Sequence, residues 1–346
     1  MRALLRPLLH GLAPCCLAAA LLPAWAGPAA DARAASAPAI DARAWLARIH
    51  TAANALNYQG VMVFSTEGVF SSSRVAHFSV ASNVYERIEA LDGKQRQVYR
   101  YNDKVHTVWP QSGLAVVETR SMLTSLPSST QSVEPRALEQ YELRAEGQER
   151  VANRQAFVFL LQPRDEWRFA QRVWADAATG LMLRSEVIDP SRKVLESAAF
   201  TEVEIGVRAQ PRSVEEPIRK LEGLRVLRPA YQLTRLEDQG WELNQPVAGF
   251  RLAHCVKRPA DLQAGAAASA AAPAADVTQA VFSDGLTHVS LFIEPFDPVR
   301  HRKDIQAQFG ATHSMTGRKG EYWITALGDV PPATLRQFID ALKRRP

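Results

Sequence analysis

The stretch Phe282-Ser283-Asp284-Gly285-Leu286-Thr287-His288-Val289-Ser290-Leu291-Phe292-Ile293 decides how the end of this chain folds. It places Asp-Gly between two apolar runs that are rich in residues favouring β-structure. Both residues of such a turn tolerate positive φ, which makes Asp-Gly between two such runs the strongest short signal for a β-hairpin. The sequence therefore predicts a folded, β-rich region near the C-terminus.

A smaller α+β domain is predicted around this hairpin, over residues 224–346. Strands are expected at 250–257, 280–282, 286–294 and 321–327, and a helix at 299–309. A last helix should begin at Pro331-Pro332, since the first helical turn tolerates proline. The apolar residues at helical spacing in that helix are Leu335, Phe338, Ile339 and Leu342. Residues 263–276 consist almost entirely of Ala, Gly, Ser and Pro, which predicts a mobile surface loop within the domain.

Residues 208–223 precede this domain and have the composition of a linker. They are polar and are interrupted by Pro211 and Pro217, a pattern typical of segments between domains. A larger domain is predicted before them, at residues 40–207. It opens with Asp41 as the expected N-cap of a helix. The apolar face of that helix comprises Trp45, Leu46, Ile49, Ala53 and Leu56.

The rest of the larger domain is predicted to be a series of short strands. They are expected at 58–66, 74–80, 84–91, 97–101, 105–109, 156–162, 172–175, 181–188 and 194–205. Turn residues such as Asp92-Gly93 and Asn102-Asp103 fill the gaps. Because the gaps are short, consecutive strands should be antiparallel neighbours. Both faces of the first strand are partly apolar, which favours a curved sheet with helices inside it, and Met122 to Leu126 predict a short helix over the sheet.

The N-terminus has the features of an export signal. Arg2 and Arg6 precede an apolar stretch at 12–22, and Ala24-Trp25-Ala26 has the small-x-small form that signal peptidase cleaves. The sequence therefore predicts a signal peptide at 1–26. No apolar stretch reaches the roughly 20 residues needed to span a bilayer. We therefore expect an exported protein that is soluble after cleavage of the signal peptide.

Cleavage of the signal would leave a disordered Ala/Pro-rich segment at 27–39 and a single cysteine, Cys255. A lone cysteine excludes an intramolecular disulfide even in an oxidising compartment. The weaker alternative is a lipoprotein signal at Cys15 or Cys16, but Pro14 precedes Cys15 where a small residue is expected.

The net charge argues against nucleic acid as a partner. It is +5 for the whole sequence, and loss of Arg2 and Arg6 with the signal lowers it to +3. So mild a balance, without a basic cluster on an aromatic platform, does not argue for a nucleic-acid partner, and we expect none. It is compatible with an acidic or lipid-phosphate partner.

No motif of a known catalytic or metal site is present. The sequence lacks Gly-x-Ser-x-Gly, His-Glu-x-x-His and a glycine-rich phosphate loop. The histidines are widely spaced, and His254 and Cys255 would point to opposite faces of one strand, so they cannot form a nucleophilic pair. We therefore expect no enzyme activity, no cofactor and no metal, and a buried thiol at Cys255. A hydrolase is the least favoured alternative.

Several motifs together resemble the RseB/MucB family of periplasmic regulators of the envelope-stress sigma factor. In the C-terminal region they are Phe282 to Ile293, Gly310-Ala311-Thr312-His313 and Gly328-Asp329-Val330-Pro331-Pro332-Ala333-Thr334. In the N-terminal region they are Tyr58-Gln59-Gly60-Val61, Pro163 to Phe169, and Trp174-Ala175-Asp176 with Thr179-Gly180-Leu181. Each motif is weak alone. In this order they span nearly the whole chain after the predicted signal.

The resemblance implies a fold and a function. The N-terminal domain would be a LolA-like unclosed antiparallel β-barrel plugged by helices. The protein would bind the periplasmic part of a membrane anti-sigma factor and shield it from the site-1 protease. Lipopolysaccharide or lipoprotein acyl chains would release that grip by linkage, since a lipid that favours the released state must lower affinity for the partner. The alternative is a lipid or lipoprotein carrier of LolA type, and homo-oligomerisation stays open.

Two groups of residues are candidates for contact with the anti-sigma factor. Arg164, Asp165, Trp167 and Arg168 form a charged, aromatic cluster just after a strand, where loops carry recognition. The alternative for this cluster is an internal ion pair between Arg164 and Asp165. Arg300, Arg302 and Lys303 form a basic run that could meet an acidic segment, or that could be a solvated helix face.

A third group consists of apolar residues that are candidates for contact with a lipid. We expect Trp109, Met122, Leu123 and Leu126 to line an apolar cleft in the sheet, although large apolar residues are mostly plain core.

Overall fold

The computed structural model describes residues 41–119, 133–245, 247–259 and 276–345. The predicted signal peptide, the segment at 27–39, nearly all of the Ala-rich loop and the predicted short helix at Met122 to Leu126 lie outside these residues. The described α-helices are α1 Ala42–Ala55, α2 Arg212–Arg219 and α3 Pro332–Ala341. Short 3₁₀ helices lie at Pro110–Ser112, Pro135–Glu139 and Glu237–Gln239.

Helix α1 begins where the sequence predicts. The Asp41 carboxylate accepts hydrogen bonds from the backbone N–H groups of Arg43 and Ala44, at 3.0 and 3.1 Å. These bonds satisfy donors that have no partner within the helix. Leu46 and Ile49 are fully buried, so the predicted apolar face packs on the protein.

A twelve-stranded sheet makes up the larger part of the molecule. Its strands are β1 Tyr58–Thr66, β2 Val69–Val80, β3 Asn83–Ala90, β4 Gln97–Tyr101, β5 Lys104–Trp109, β6 Leu114–Thr119, β7 Tyr141–Val151, β8 Arg154–Pro163, β9 Ala170–Asp176, β10 Met182–Ile188, β11 Val194–Ile205 and β12 Arg225–Leu227. They lie in the order β12-β6-β5-β4-β3-β2-β1-β11-β10-β9-β8-β7. Because β12 and β7 are edges, the sheet is unclosed, as predicted.

The sheet departs from the predicted pattern at both edges. Strand β12 pairs with β6 in parallel, at Arg225 to Leu227 against Leu114 to Val116, so the sheet is not antiparallel throughout. The prediction also omits β6 and β7. Only the end residues of β7 are buried and the rest is mostly charged and exposed, so an edge strand of this kind has no apolar alternation to detect.

The two helices of this part cover opposite faces of the sheet. On β2, His77 hydrogen bonds through Nδ1 to the Leu56 carbonyl at the end of α1, at 2.8 Å. The next residue, Phe78, packs in a cluster with Val214 of α2. Successive strand residues point to opposite faces. The segment 208–223 therefore contains a helix anchored by the fully buried Val214, and its role as a linker stays a prediction.

The C-terminal part is a seven-stranded sheet covered by α3. Its strands are β13 Gln232–Leu233, β15 Arg251–Pro259, β16 Asp276–Ser283, β17 His288–Pro295, β18 Gln306–Phe309, β19 Thr312–Lys319 and β20 Tyr322–Gly328, in the order β13-β15-β16-β17-β20-β19-β18. A separate pair joins β14 Trp241–Leu243 to β21 Leu342–Arg344. The four apolar residues predicted for the last helix are buried in this core, but Leu342 lies in β21, directly after α3. The Asp-Gly hairpin is confirmed, because β16 pairs with β17.

The predicted helix at 299–309 is wrong. Residues Val299 and Arg300 form a turn whose N–H groups donate to the Asp297 carboxylate, and β18 follows at Gln306–Phe309. Val299 and Phe309 are 69% and 60% exposed, so these apolar residues do not form a buried helical face. Pairing with β19, a strand that the prediction missed, overrides the helical spacing.

Candidate functional site at the junction of the two sheets

The Asp-Gly loop lies at the junction of the two sheets. Gly285 has φ +99°, and a Cβ there would lie 2.7 Å from the Arg136 side chain, so only glycine fits. The Asp284 Oδ1 atom accepts the N–H groups of Leu286 and Thr287 at 2.9 and 2.8 Å. These bonds hold the loop in shape and leave Oδ2 directed at the N-terminal sheet.

Arg168 meets that carboxylate from the N-terminal side. Its Nε atom donates to Asp284 Oδ2 at 2.6 Å, and both side chains are 0% exposed. Its two terminal nitrogens donate to Asp165 and to the Ala248 carbonyl. Its guanidinium also stacks on the Phe250 ring at 4.7 Å. A buried ion pair is tolerated when additional hydrogen bonds satisfy both charges, and this pair joins the two sheets directly.

Tyr141 completes this buried group. Its hydroxyl donates to Asp284 Oδ2 at 3.2 Å. Burial, followed by the neighbouring Asp284 charge, raises the pKa of Tyr141 well above its usual value, so the hydroxyl keeps its proton. Leu286 of the same loop packs into the apolar cluster of α1. The Asp-Gly loop is thus bound by an ion pair, a hydrogen bond and an apolar contact.

The segment Arg164 to Phe169, which connects β8 to β9, makes a further contact across the junction. The Trp167 carbonyl accepts a hydrogen bond from Thr334 Oγ1 in the first turn of α3, at 2.8 Å. The Trp167 side chain packs on the C-terminal core. A cavity of about 380 Å³ lies beside this segment and is lined by Asp165, Glu166 and Pro331 among others.

The turn between β18 and β19 docks on the N-terminal sheet. Glu196 accepts the Ala311 N–H at 3.1 Å, and Glu67 accepts the Gly310 N–H at 3.2 Å. Burial, then the nearby Asp329 charge, raises the pKa of Glu196 to about 7. The junction therefore contains a carboxyl group that titrates near neutral pH.

A strap formed by β12 and β13 joins the sheets on another side. It pairs with β6 of one sheet and with β15 of the other. Between the two strands, the Tyr231 hydroxyl donates to Glu118 at 2.5 Å. Burial is the main cause that raises the pKa of Tyr231 and lowers that of the adjacent Arg258. The strap thus adds a partly buried polar contact to the junction.

The four residues of the predicted recognition cluster take different positions. Arg168 is buried in the junction, Asp165 and Trp167 are half-buried, and Arg164 is exposed. The ion pair of Asp165 is to Arg168 rather than to Arg164. Of the cluster, Arg164 is therefore the most accessible to a partner.

The other predicted site residues are not brought together with this cluster. Trp109 is half-buried at the end of β5, whereas Met122, Leu123 and Leu126 lie outside the described residues. In the basic run, Arg300 is 54% exposed and pairs with Glu294 at 3.4 Å, and Arg302 and Lys303 are exposed. Contact with a partner or a lipid stays a prediction for all of them.

Sequence reasoning missed the main connection at the junction. The sequence indicates the segment containing Arg168 and the Asp284-Gly285 turn as two separate motifs, and it does not predict that they form an ion pair. Glu196 was missed as well. A charged residue inside a strand carries no signal in the sequence that its side chain will be buried, because its partner lies 115 residues away along the chain.

The structure also describes the metal-binding residue types and the thiol of Cys255. Among residues 41–119, 133–245, 247–259 and 276–345, no group of three His, Cys, Asp or Glu side chains could hold a metal ion. Cys255 is 3% exposed, as predicted for a buried thiol. Burial raises the pKa of this thiol to about 11, so it is not a thiolate at neutral pH. None of the helices in the described part of the chain combines the length and the hydropathy of a membrane span.

Two family models match the chain in succession. The model described as the MucB/RseB N-terminal domain matches residues 41–218, and the model described as the MucB/RseB C-terminal domain matches residues 235–343. The first ends within α2 and the second begins just before β14.

Curated relatives extend over most of the chain. The sigma factor AlgU regulatory protein MucB of Pseudomonas aeruginosa is 29% identical over 314 residues, which are 89% of this chain and 92% of the relative. The sigma-E factor regulatory protein RseB of Haemophilus influenzae is 23% identical over 311 residues, which are 90% of this chain and 94% of the relative. Both relatives are named for regulation rather than for a catalytic activity.

Solved structures share the fold. A complex of Pseudomonas aeruginosa MucA and MucB contains a chain that is 25% identical, with a TM-score of 0.67, and the match covers 89% of this chain and 100% of that one. A crystal structure of MucB alone is 23% identical, with a TM-score of 0.62, and the match covers 88% and 98% of the two chains.

Proposed function

Because the chain belongs to the MucB/RseB family, we propose that it is a regulatory binding protein that holds the periplasmic part of a membrane anti-sigma factor. The observation that carries the proposal is the match of both family domains, in order, over nearly all of the described chain. The relatives are named as sigma-factor regulators. A MucB chain of the same fold has been solved together with MucA.

The proposed action is steric. By binding the anti-sigma factor, the protein keeps the cleavage site of that factor away from the site-1 protease, and it does no chemistry of its own. The proposed location is the periplasm, after removal of residues 1–26. A junction held by buried contacts between the two sheets suits such a role, because a preformed surface loses little conformational entropy on binding.

A lipid is the proposed releasing signal. Lipopolysaccharide or lipoprotein acyl chains would favour the released state and lower the affinity for the anti-sigma factor. Trp109, Met122, Leu123 and Leu126 remain the proposed lining of the lipid site. Arg164, Arg300, Arg302 and Lys303 remain proposed contacts for the protein partner, and homo-oligomerisation stays open.

The experiment is a pull-down of the cognate anti-sigma periplasmic segment by the purified chain, followed by digestion of that segment with the site-1 protease. We expect binding and slower cleavage when the chain is present. Absence of binding overturns the proposal. Addition of lipid A tests the releasing signal separately, because an intact complex in its presence refutes release and leaves the steric role in place.

Lipid transfer without anti-sigma binding would instead identify a carrier of LolA type.

A further inference from the structure

Strand β18 is the outer strand of the C-terminal sheet. All four of its residues, Gln306–Phe309, are exposed, and among the described residues no strand pairs with its outer edge. A two-residue turn joins it to β19, with Gly310 at φ +61°. In such a hairpin the closing pair, here Phe309 and Thr312, is hydrogen-bonded. Alternation along the strand then directs the N–H and C=O groups of Gln308 and Gln306 outward.

This edge lacks most of the features that usually protect an edge strand. The edge strand β7 of the larger sheet carries charged side chains and a bulge between Ala145 and Gly147. The other edges, β12 and β13, are three and two residues long. Strand β18 is also short, at four residues, but it is uncharged, contains no proline and has no register shift. Natural proteins protect exposed edges with short length, charges, proline or bulges, so this edge is open to another strand.

The surroundings of β18 differ at its two ends. Near its C-terminal end, Phe309 is 60% exposed and Gly310 is hydrogen-bonded to Glu67 of the β1–β2 turn. The first residues of β2, Val69 and Phe70, are 63% and 69% exposed, so apolar side chains flank that contact from both sheets. The segment before the N-terminal end carries the exposed residues Arg302, Lys303 and Asp304, which together give it a net positive charge.

We propose that β18 binds an extended peptide as an added strand, and that this peptide belongs to the periplasmic segment of the anti-sigma factor. This inference rests on the proposed function and adds the surface and the mode of binding. Main-chain hydrogen bonds to the outward groups of Gln306 and Gln308 give affinity, as in other cases of strand addition to a sheet edge.

The charged and apolar residues around β18 predict which way the bound peptide runs along the strand. Antiparallel pairs are the commoner kind, and β18 already pairs in that way with β19. An added antiparallel strand places its N-terminal half beside Phe309 and the exposed apolar residues of β2. Its C-terminal half then lies beside Arg302 and Lys303. The peptide that fits is therefore apolar first and acidic afterwards.

The test measures binding of the full chain to the anti-sigma periplasmic segment. Gln308→Pro removes the outward N–H and leaves the bonds to β19 in place, because proline is tolerated at an edge where its nitrogen faces solvent. The matched control is Gln308→Ala, which keeps the backbone N–H and removes most of the side chain. We expect Gln308→Pro to bind about tenfold more weakly and Gln308→Ala to bind as the wild type does.

A measurement on the wild-type protein tests the inference independently of whether the Gln308→Pro variant folds correctly. Backbone amide exchange should slow at Gln306 and Gln308 when the segment is added. A wild-type chain that binds while these amides stay unprotected overturns the inference and leaves the proposed function standing. A wild-type chain that does not bind overturns the proposed function itself. Protection that increases with protein concentration in the absence of the segment assigns the edge to a second copy and also overturns the inference.

Charge reversal tests the direction of the peptide. The double variant Arg302→Glu, Lys303→Glu should weaken binding at low salt, and the difference should shrink as salt is added, because exposed charges are screened. Arg144→Glu on β7, the edge strand of the larger sheet, is the control and should leave binding unchanged. Equal binding by the double variant and the control removes the acidic half of the proposal.

Discussion

At the scale of single residues, the Arg168 and Asp284 pair is the feature with the largest expected energetic effect. Both charges are removed from water, yet each has further partners: Asp165 and the Ala248 carbonyl for the guanidinium, and Tyr141 for the carboxylate. A buried pair of this kind adds little net stability compared with apolar residues of similar shape. Removing only one member of the pair is costly, because the charge of the other member stays buried without its partner.

Asp284→Ala should therefore destabilise the protein by about 3–5 kcal/mol, measured as the free energy of unfolding in urea. Asp284→Asn should cost less, because the amide still accepts the loop N–H groups. The control is Glu142→Ala, which removes an exposed partner of Arg144 and should leave the unfolding midpoint unchanged. An Asp284→Ala midpoint equal to that of the wild type would show that the pair does not hold the junction.

Glu196 should make stability depend on pH. Its pKa is about 7 in the folded protein against a usual value of 4.5, so the folded state binds a proton more tightly than the unfolded state does. Stability from this group is complete below about pH 4.5 and is lost as pH rises through 7. Glu196→Gln should thus be more stable than the wild type at pH 8, by roughly 1–3 kcal/mol, and equal to it at pH 4.5. The measurement is urea unfolding at both values, and equal stability at pH 8 would contradict it.

At the scale of elements, the β16–β17 hairpin links the cores of the two sheets through Leu286. This side chain is 4% exposed and packs in the cluster of Leu46, Ile49 and Tyr141. Leu286→Ala should destabilise the protein by about 2–5 kcal/mol, since it leaves a cavity in a packed cluster. Leu233→Ala is the matched control, because Leu233 is 75% exposed. Thermal unfolding of the two variants makes the comparison, and similar melting temperatures would refute the packing role.

The sequence predicts those strands and helices whose own residues show a clear local pattern. Strands β1, β4 and β11, the N-cap Asp41 and the buried face of α3 follow from alternation, capping and helical spacing within a few residues. The strands β7 and β18 could not be predicted in the same way, because each is an exposed edge held by its neighbour in the sheet. The junction was the least predictable part, since Arg168 and Asp284 lie 116 residues apart and a buried charge looks like an exposed one in the sequence.

At the scale of the whole molecule, the described residues from 41 onward belong to one compact unit. The contacts responsible come from distant places: the Asp-Gly loop, the turn before β19, the first turn of α3 and the strap. Several motifs that carry the family resemblance supply these contacts. Such motifs therefore fix how the two sheets are joined as much as they form any recognition surface.

The last prediction follows from that joining. If the junction couples the sheets, β8 in one sheet and β17 in the other should open with the same free energy, because neither core unfolds without exposing the apolar surface of the other. Hydrogen exchange measured by mass spectrometry over a urea series should give coincident opening of peptides from the two strands. In Asp284→Ala the two should separate, since the charge left on Arg168 weakens the contact between them. Separate opening in the wild type would mean that each sheet is stable alone, and the pH dependence expected from Glu196 would then report on docking rather than on global unfolding.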